Sequence, residues 1–333
     1  MPSSTNRAAR SALSVAAVLA VLTCHTAAQA ALDARANMTV RKLPVGSPTP
    51  VLVFQDSVRD LDPTGSFAGI GLSPSLSYVT PESGARVRYG AITSFAHADG
   101  NHPGDAIYYS NAGSSGRFTD QFRMTSPGVT GGGTMTLHAT ARAVFDYDPQ
   151  GSTDTTDFTA TGAAYVDLFV NGRARVQDRY TTRYWADISE GILARMSVDV
   201  RSLNGDVSIV QHDTLLAGTG YTVVQHFALE TTFQFGSLIN INALLTVPGT
   251  ANACCSPGDG VDAVSNAWFR WDGISDVKLA DGTQVTDFEA LGAVTGFDYA
   301  QAAVVPEPSA RWMMLAGMAS VLLARRRRNP SGR

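Results

Sequence analysis

Residues 133–147 read GTMTLHATARAVFDY, and the alternation in this stretch decides the fold. Met135, Leu137, Ala139, Ala141, Ala143, Phe145 and Tyr147 fall on one side, and Thr134, Thr136, His138, Thr140 and Arg142 on the other. A period of two is the repeat of an extended chain whose successive side chains point to opposite faces. An apolar set against a polar set marks a strand with one face in a core and one in water.

The same period recurs outward along the chain. In GILARMSVDV (191–200), Ile192, Ala194, Met196, Val198 and Val200 alternate with Leu193, Arg195, Ser197 and Asp199. In YTVVQHFALETTFQF (221–235), Tyr221, Val223, Phe227, Leu229, Phe233 and Phe235 share the odd positions. Turn chemistry separates such runs. Asn171-Gly172 stands between AYVDLFV and RARVQDRY, Asn204-Gly205 links two more strands, and Asp281-Gly282 joins SDVKLA to TQVTDF. These dipeptides accept the positive φ that tight hairpins require. Helix formers are scarce, with two lysines and five glutamates against 24 aspartates and 31 glycines. Asp and Gly favour turns over helix interiors. The expected fold is all-β, an antiparallel β-sandwich or jelly-roll-like domain over residues 66–304. Residues 31–65, with Pro44, Pro48, Pro50 and Pro63, are expected as an irregular lead-in carrying one short strand, VLVF.

Both ends read as address signals. Arg7 and Arg10 precede an apolar run from Ser11 to Leu22, and Ala28-Gln29-Ala30 offers a small-x-small cleavage site. Residues 1–30 are therefore expected as a signal peptide, handled by the Sec machinery and cut after Ala30 by signal peptidase. Cys24 would leave with it. At the other end stand Pro306-Glu307-Pro308, an apolar segment Trp312 to Ala324, and Arg325, Arg326, Arg327 and Arg328. Thirteen residues make a helix of about 20 Å against a ~30 Å hydrocarbon core, which suits a transient anchor. The arginines act as a positive stop and would stay cytoplasmic, leaving the body on the far side of the inner membrane.

This order resembles the PEP-CTERM sorting signal, over residues 305–333. The resemblance implies recognition by exosortase, an integral-membrane enzyme of Gram-negative bacteria. It further implies removal of the tail, and delivery of the body to the outer envelope or an extracellular polysaccharide matrix. More loosely, DQFRMTSPGVTGGGTMTL (120–137), WDGISDVKLADGTQV (271–285) and GAVTGFDYA (292–300) look like blocks that recur in the bodies of such proteins.

Between the two signals, residues 31–305 hold 17 basic and 28 acidic side chains, a net −11 against −4 for the whole chain. An acidic body lacks the footprint of a nucleic-acid partner. It does suit an exported protein that meets divalent cations. The candidate cation loop is DYDPQGSTDTTD, in which Asp146, Asp148, Gln150, Ser152, Asp154 and Asp157 take the oxygen-ligand positions of a calcium loop. Pro149 and the shorter Asp157 depart from that pattern, and the competing reading is a solvated Asp-rich turn. HADGNHPGD places His97, Asp99, His102 and Asp105 within nine residues, either a metal cluster or a surface loop. His138 and His226 lie on polar strand faces and read as solvated. Cys254 and Cys255 are adjacent, so a vicinal disulfide, a link to another chain, or two free thiols all stand open.

No nucleophile elbow, P-loop, dinucleotide fingerprint or HExxH motif occurs. The function expected is a non-catalytic envelope or matrix protein. The alternatives are a carbohydrate-binding adhesin, using aromatics in RYTTRYW (179–185) and AWFRW (267–271), and a hydrolase whose paired carboxylates do not stand out.

Overall fold

The computed structural model describes residues 30–62, 64–71, 79–150, 157–171, 174–187, 192–201, 206–213, 219–254 and 260–303. These residues form fifteen strands and no helix. The first eight are β1 (Ala31–Pro44), β2 (Val51–Asp60), β3 (Ser66–Gly71), β4 (Glu82–Arg88), β5 (Ala91–Asn101), β6 (Ala106–Thr125), β7 (Gly132–Gln150) and β8 (Asp157–Val170). Then follow β9 (Ala174–Asp187), β10 (Ile192–Arg201), β11 (Asp206–Asp213), β12 (Thr219–Gln234), β13 (Leu238–Cys254), β14 (Gly260–Leu279) and β15 (Glu289–Gly292).

Every ladder is antiparallel. One layer runs β3-β4-β5-β14-β7-β12-β11, and the other β2-β1-β6-β13-β8-β9-β10. They join where the β5–β6 hairpin pairs Asn101 with Tyr108, and elsewhere pack face to face, β13 over β5 and β14, β8 over β14. The sandwich inferred from period-two patterning is the fold of the described chain.

The alternation of 133–147 holds residue by residue. Met135, Leu137, Ala139, Ala141, Ala143, Phe145 and Tyr147 are all buried on β7. On β12 the same face carries Val223, Phe227 and Phe233, but also fully buried Gln225, which accepts the Tyr180 hydroxyl from the opposite layer. Alanine fills much of the core, with Ala96 and Ala98 on β5 and Ala263 and Ala267 on β14. Small side chains bury little apolar area per residue, and strands of up to 20 residues compensate with length. Glycine lets the layers approach further: a Cβ on Gly116 would stand 2.4 Å from Ile92 Cγ2.

Two expectations change. Residues 31–65 are not an irregular lead-in, because β1 pairs along its whole length with β6 and then with β2. Leu32, Ala34, Ala36, Met38 and Val40 enter the core, while Pro44 falls at the end of β1 and Pro48 and Pro50 in the turn beyond it; Pro63 lies outside the described residues. After Asp281-Gly282 the chain makes a short return rather than a full strand. Gly282 takes φ +85°, and only Lys278 and Gln284 form a bridge. Asn171, at φ +48°, does close a hairpin between β8 and β9.

The last described segment seals one pole. β15 adds to β6 at Phe122–Thr125, and the chain then folds Tyr299 into the core. The Tyr299 hydroxyl donates to Asp120 Oδ2 (2.9 Å), as does Thr295 Oγ1 (2.6 Å), and the Gln121 backbone N–H donates to Asp120 Oδ1 (2.7 Å). Trp271 Nε1 donates to the Tyr299 carbonyl (2.8 Å), and the two rings meet edge to face at 5.6 Å. The three sequence blocks 120–137, 271–285 and 292–300 thus converge through Asp120, Trp271 and Tyr299. Burial, with the Asp120 charge, raises the Tyr299 pKa, so the hydroxyl remains a donor.

Removing that donor leaves a buried carboxylate short of one partner. Tyr299→Phe should lower stability by about 1–3 kcal/mol, and Gly116→Ala by about 1–3 kcal/mol through overpacking. Both are read from the urea midpoint, and unchanged midpoints would contradict the packing described.

Candidate functional site

The two poles of the sandwich divide the sequence-derived sites between them. At the tail pole, Ala31 pairs with Thr119 at the start of β1, and Ala303 donates its N–H to the Trp271 carbonyl (2.8 Å). Both ends of the described core chain emerge there, close to Asp120. Pro306, Glu307, Pro308 and Arg325 to Arg328 follow Ala303 but lie outside the described residues, as does Ala28. Ala30 directly precedes β1.

At the far pole, roughly 45 Å along β6 at ~3.4 Å per residue, three separate candidate stretches come together. Asp99 on β5, Asp262 on β14 and Asp148 on β7 stand in one cross-strand row. His97, Val264 and Asp146 form the next. Cys254 pairs with Asp157, where β13 meets β8. Only the backbone of Gln150, Asp157 and Cys254 is described, and Ser152, Asp154 and Cys255 lie outside.

Within this cluster His97 is the hub. Its Nε2 lies 3.7 Å from Asp262 Oδ1, and Glu82 pairs with it from β4. Burial disfavours its charged ring, but the nearby Asp262 carboxylate, with the charges of Asp99 and Glu82, outweighs this and raises its pKa. Asp99 is 8% exposed. Its Oδ2 accepts the Thr80 backbone N–H, and the Ser110 hydroxyl lies 3.3 Å from Oδ1. Burial pushes Asp99 up to about 6 against the pull of His97 and the Thr80 bond, and the Asp262 charge adds to the rise.

The HADGNHPGD cluster does not close on one point. Asp105 pairs with Lys42 (3.1 Å), and His102 is buried with Nδ1 unpartnered. Among the described residues, no group of three His, Cys, Asp or Glu side chains is placed to hold a metal ion. Asp262, Glu82, Thr80 and Ser110 were not legible as members, since each comes from a different strand or loop and none belongs to a local motif.

Of the polar-face histidines, His226 is exposed as expected and His138 is half-buried. His138 Nε2 bonds Ser275 Oγ (2.7 Å), and His226 Nδ1 bonds Thr140 Oγ1 (2.9 Å). Thr140 in turn donates to Asp272. This is not a nucleophile–base–acid order, because the hydroxyl, 2% exposed, lies between the imidazole and the carboxylate. Of the AWFRW aromatics, Trp271 is core and Trp268 faces outward, half-buried.

Both His97 and Asp99 bind protons more tightly folded than unfolded. Asp99 stabilisation is complete below about pH 4 and is lost as pH rises through about 6. The His97 contribution is complete below about 6.5 and is lost above that, through its raised folded value. Stability should therefore fall as pH rises from 4 to 8, by on the order of 3 kcal/mol from Asp99. Asp99→Asn should flatten the lower part of the profile and His97→Gln the upper. Thermal unfolding across that range reads both slopes, and identical slopes in parent and variants would contradict the electrostatics described.

Comparison with known protein families matches residues 304–328 to the PEP-CTERM protein-sorting motif. No curated protein and no solved structure matches the chain. The motif begins at the residue after Ala303, so it is attached directly to the sealed tail pole. The chain carries the PEP-CTERM sorting motif, and with it the mark of an exported protein that is processed by exosortase at a membrane.

Proposed function

We propose that this is a non-catalytic protein of the cell envelope or extracellular matrix, released from an inner-membrane anchor when exosortase removes the tail. The observation that carries this reading is the junction at Ala303, where a closed sandwich ends and the sorting motif begins. Two residues separate Ala303 from Pro306, a reach of at most about 11 Å of extended chain. The cleavage point would therefore be presented beside a rigid pole rather than within a long linker. Ala31 leaves from the same pole, so a chain held by an uncleaved signal at one end and the apolar segment at the other could still close its sandwich.

The non-catalytic reading is supported by how the far-pole groups are used. Asp99 has the raised pKa of a candidate general acid, but its oxygens face Thr80 and Ser110 of its own chain. A hydrolase would require a carboxylate turned toward substrate.

The test is fractionation of matched cells with and without exosortase, with mass spectrometry of the mature C-terminus. In the presence of the enzyme, the body should reach the outer envelope or medium, ending near Pro306–Pro308 and lacking Trp312–Ala324. Without it, or with Pro306→Ala and Glu307→Ala together, the intact chain should stay with the inner membrane. Release of a body that keeps its arginine tail would overturn the reading.

A further inference from the structure

The outer face of the β3-β4-β5-β14-β7 layer carries one cross-strand row of unusual composition. Phe67 pairs with Arg86, Arg86 with Thr93, Thr93 with Trp268, and Trp268 with Arg142. Directly paired residues share a face, so these side chains line up across five strands, about 19 Å at the usual strand spacing. Arg88 stands two residues from Arg86 on the same exposed face of β4.

Two features set this row apart from ordinary surface. The first is charge. Arg86, Arg88 and Arg142 are exposed, and none has a salt-bridge partner among the described residues. Arg270 does not add to them, because Asp272 neutralises it at 2.6 Å and it stands 5.8 Å over the Trp268 ring. Three free guanidinium groups on a body of net −11 are a local reversal of sign.

The second feature is the placement of the aromatic rings. A Cβ on Gly69 would meet the Phe67 ring at 2.9 Å, and a Cβ on Gly84 would meet the Phe95 ring at 2.6 Å. Both rings therefore reach into space that glycine leaves open, with Phe67 61% exposed and Phe95 half-buried. Phe95 sits one pair further along β5, beside Thr93. Flat rings offer an apolar platform, and Arg presents a planar fork that matches carboxylate or sulfate. A chain that alternates flat C–H faces with anionic groups satisfies both.

We propose that this face binds an acidic polysaccharide, laid across the strands with sugar rings on Phe67, Phe95 and Trp268 and its anionic groups on Arg86, Arg88 and Arg142. The inference gives the envelope or matrix protein proposed above a ligand class, and rests on that reading for its setting. Glu82 and the far-pole acids on the same layer bound the site at one end and repel a polyanion lying along the strands. An anionic membrane is the poorer partner. The strand axes run out through the tail pole, so a body tethered there holds this face upright to the bilayer rather than against it.

The test is binding by the full chain with Arg325–Arg328 changed to Gln in every sample, so that the tail supplies no cations. The probes are polygalacturonate, neutral dextran, vesicles of phosphatidylglycerol, and single-stranded DNA. The expected result is binding to polygalacturonate that weakens with rising NaCl. It should fall at least tenfold in Arg86→Gln/Arg88→Gln/Arg142→Gln, and at least tenfold in Phe67→Ala/Trp268→Ala. Phe67→Ala alone, at an exposed position, guards against misfolding, and should still weaken binding with an unchanged melting temperature. Equal binding by parent and variants, no binding to polygalacturonate, or equal retention by dextran would overturn the proposal. Vesicles or DNA bound more tightly through the same arginines would replace it. Because binding is read in purified protein, its failure is distinct from failure of sorting, which fractionation reads in cells.

Discussion

The buried carboxylate of Asp120 sets a condition that the rest of this molecule must meet. It lies on β6, the long strand that pairs with both the first and the last described strands, and is 3% exposed. A charge so placed needs donors, and the Gln121 N–H supplies only one of them locally. The others, Thr295 and Tyr299, come from the end of the described chain, 175 and 179 residues away. The chain must therefore complete both layers before Asp120 is satisfied. When it is, the Tyr299 and Trp271 rings close the tail pole and fix the place from which the sorting motif departs.

That closure divides the molecule in two. Address and attachment belong to the tail pole, where Ala31 and Ala303 emerge and the matched motif begins. The acidic cluster belongs to the far pole, where strand ends from β5, β7 and β14 bring His97, Asp99, Asp148 and Asp262 into adjacent rows. Long antiparallel strands enforce the separation, since two groups can share a pole only if they lie near strand ends of matching direction. The unpaired arginines fall between the poles on an outer face, presented sideways by a sheet whose inner face is occupied by core.

Legibility followed the range of the interaction. The alternation at 133–147 could be read because period two is local, and β7 buries the odd residues it promised. Asn171 could be read because the positive φ of a hairpin is a property of one residue. β1 was misjudged because the proline-rich stretch that follows it obscured a clean alternation from Leu32 to Val40, and prolines at a strand end or in a turn disturb nothing. The far-pole site was half legible. HADGNHPGD drew attention to His97 and Asp99, but Asp105 turned away to Lys42, and the partners that matter arrived from β4 and β14.

By itself the sequence determined that the chain is built of strands, that its interior positions alternate, and that its last residues carry a sorting motif. All three are contiguous patterns, set by backbone geometry or by a short linear code. Tertiary structure decided which strands are neighbours, and hence that Asp120 meets Tyr299, that His97 meets Asp262, and that Phe67, Arg86, Trp268 and Arg142 share a row. These depend on register between segments up to some two hundred residues apart, and the pleat fixes which face a side chain takes without saying what will lie beside it.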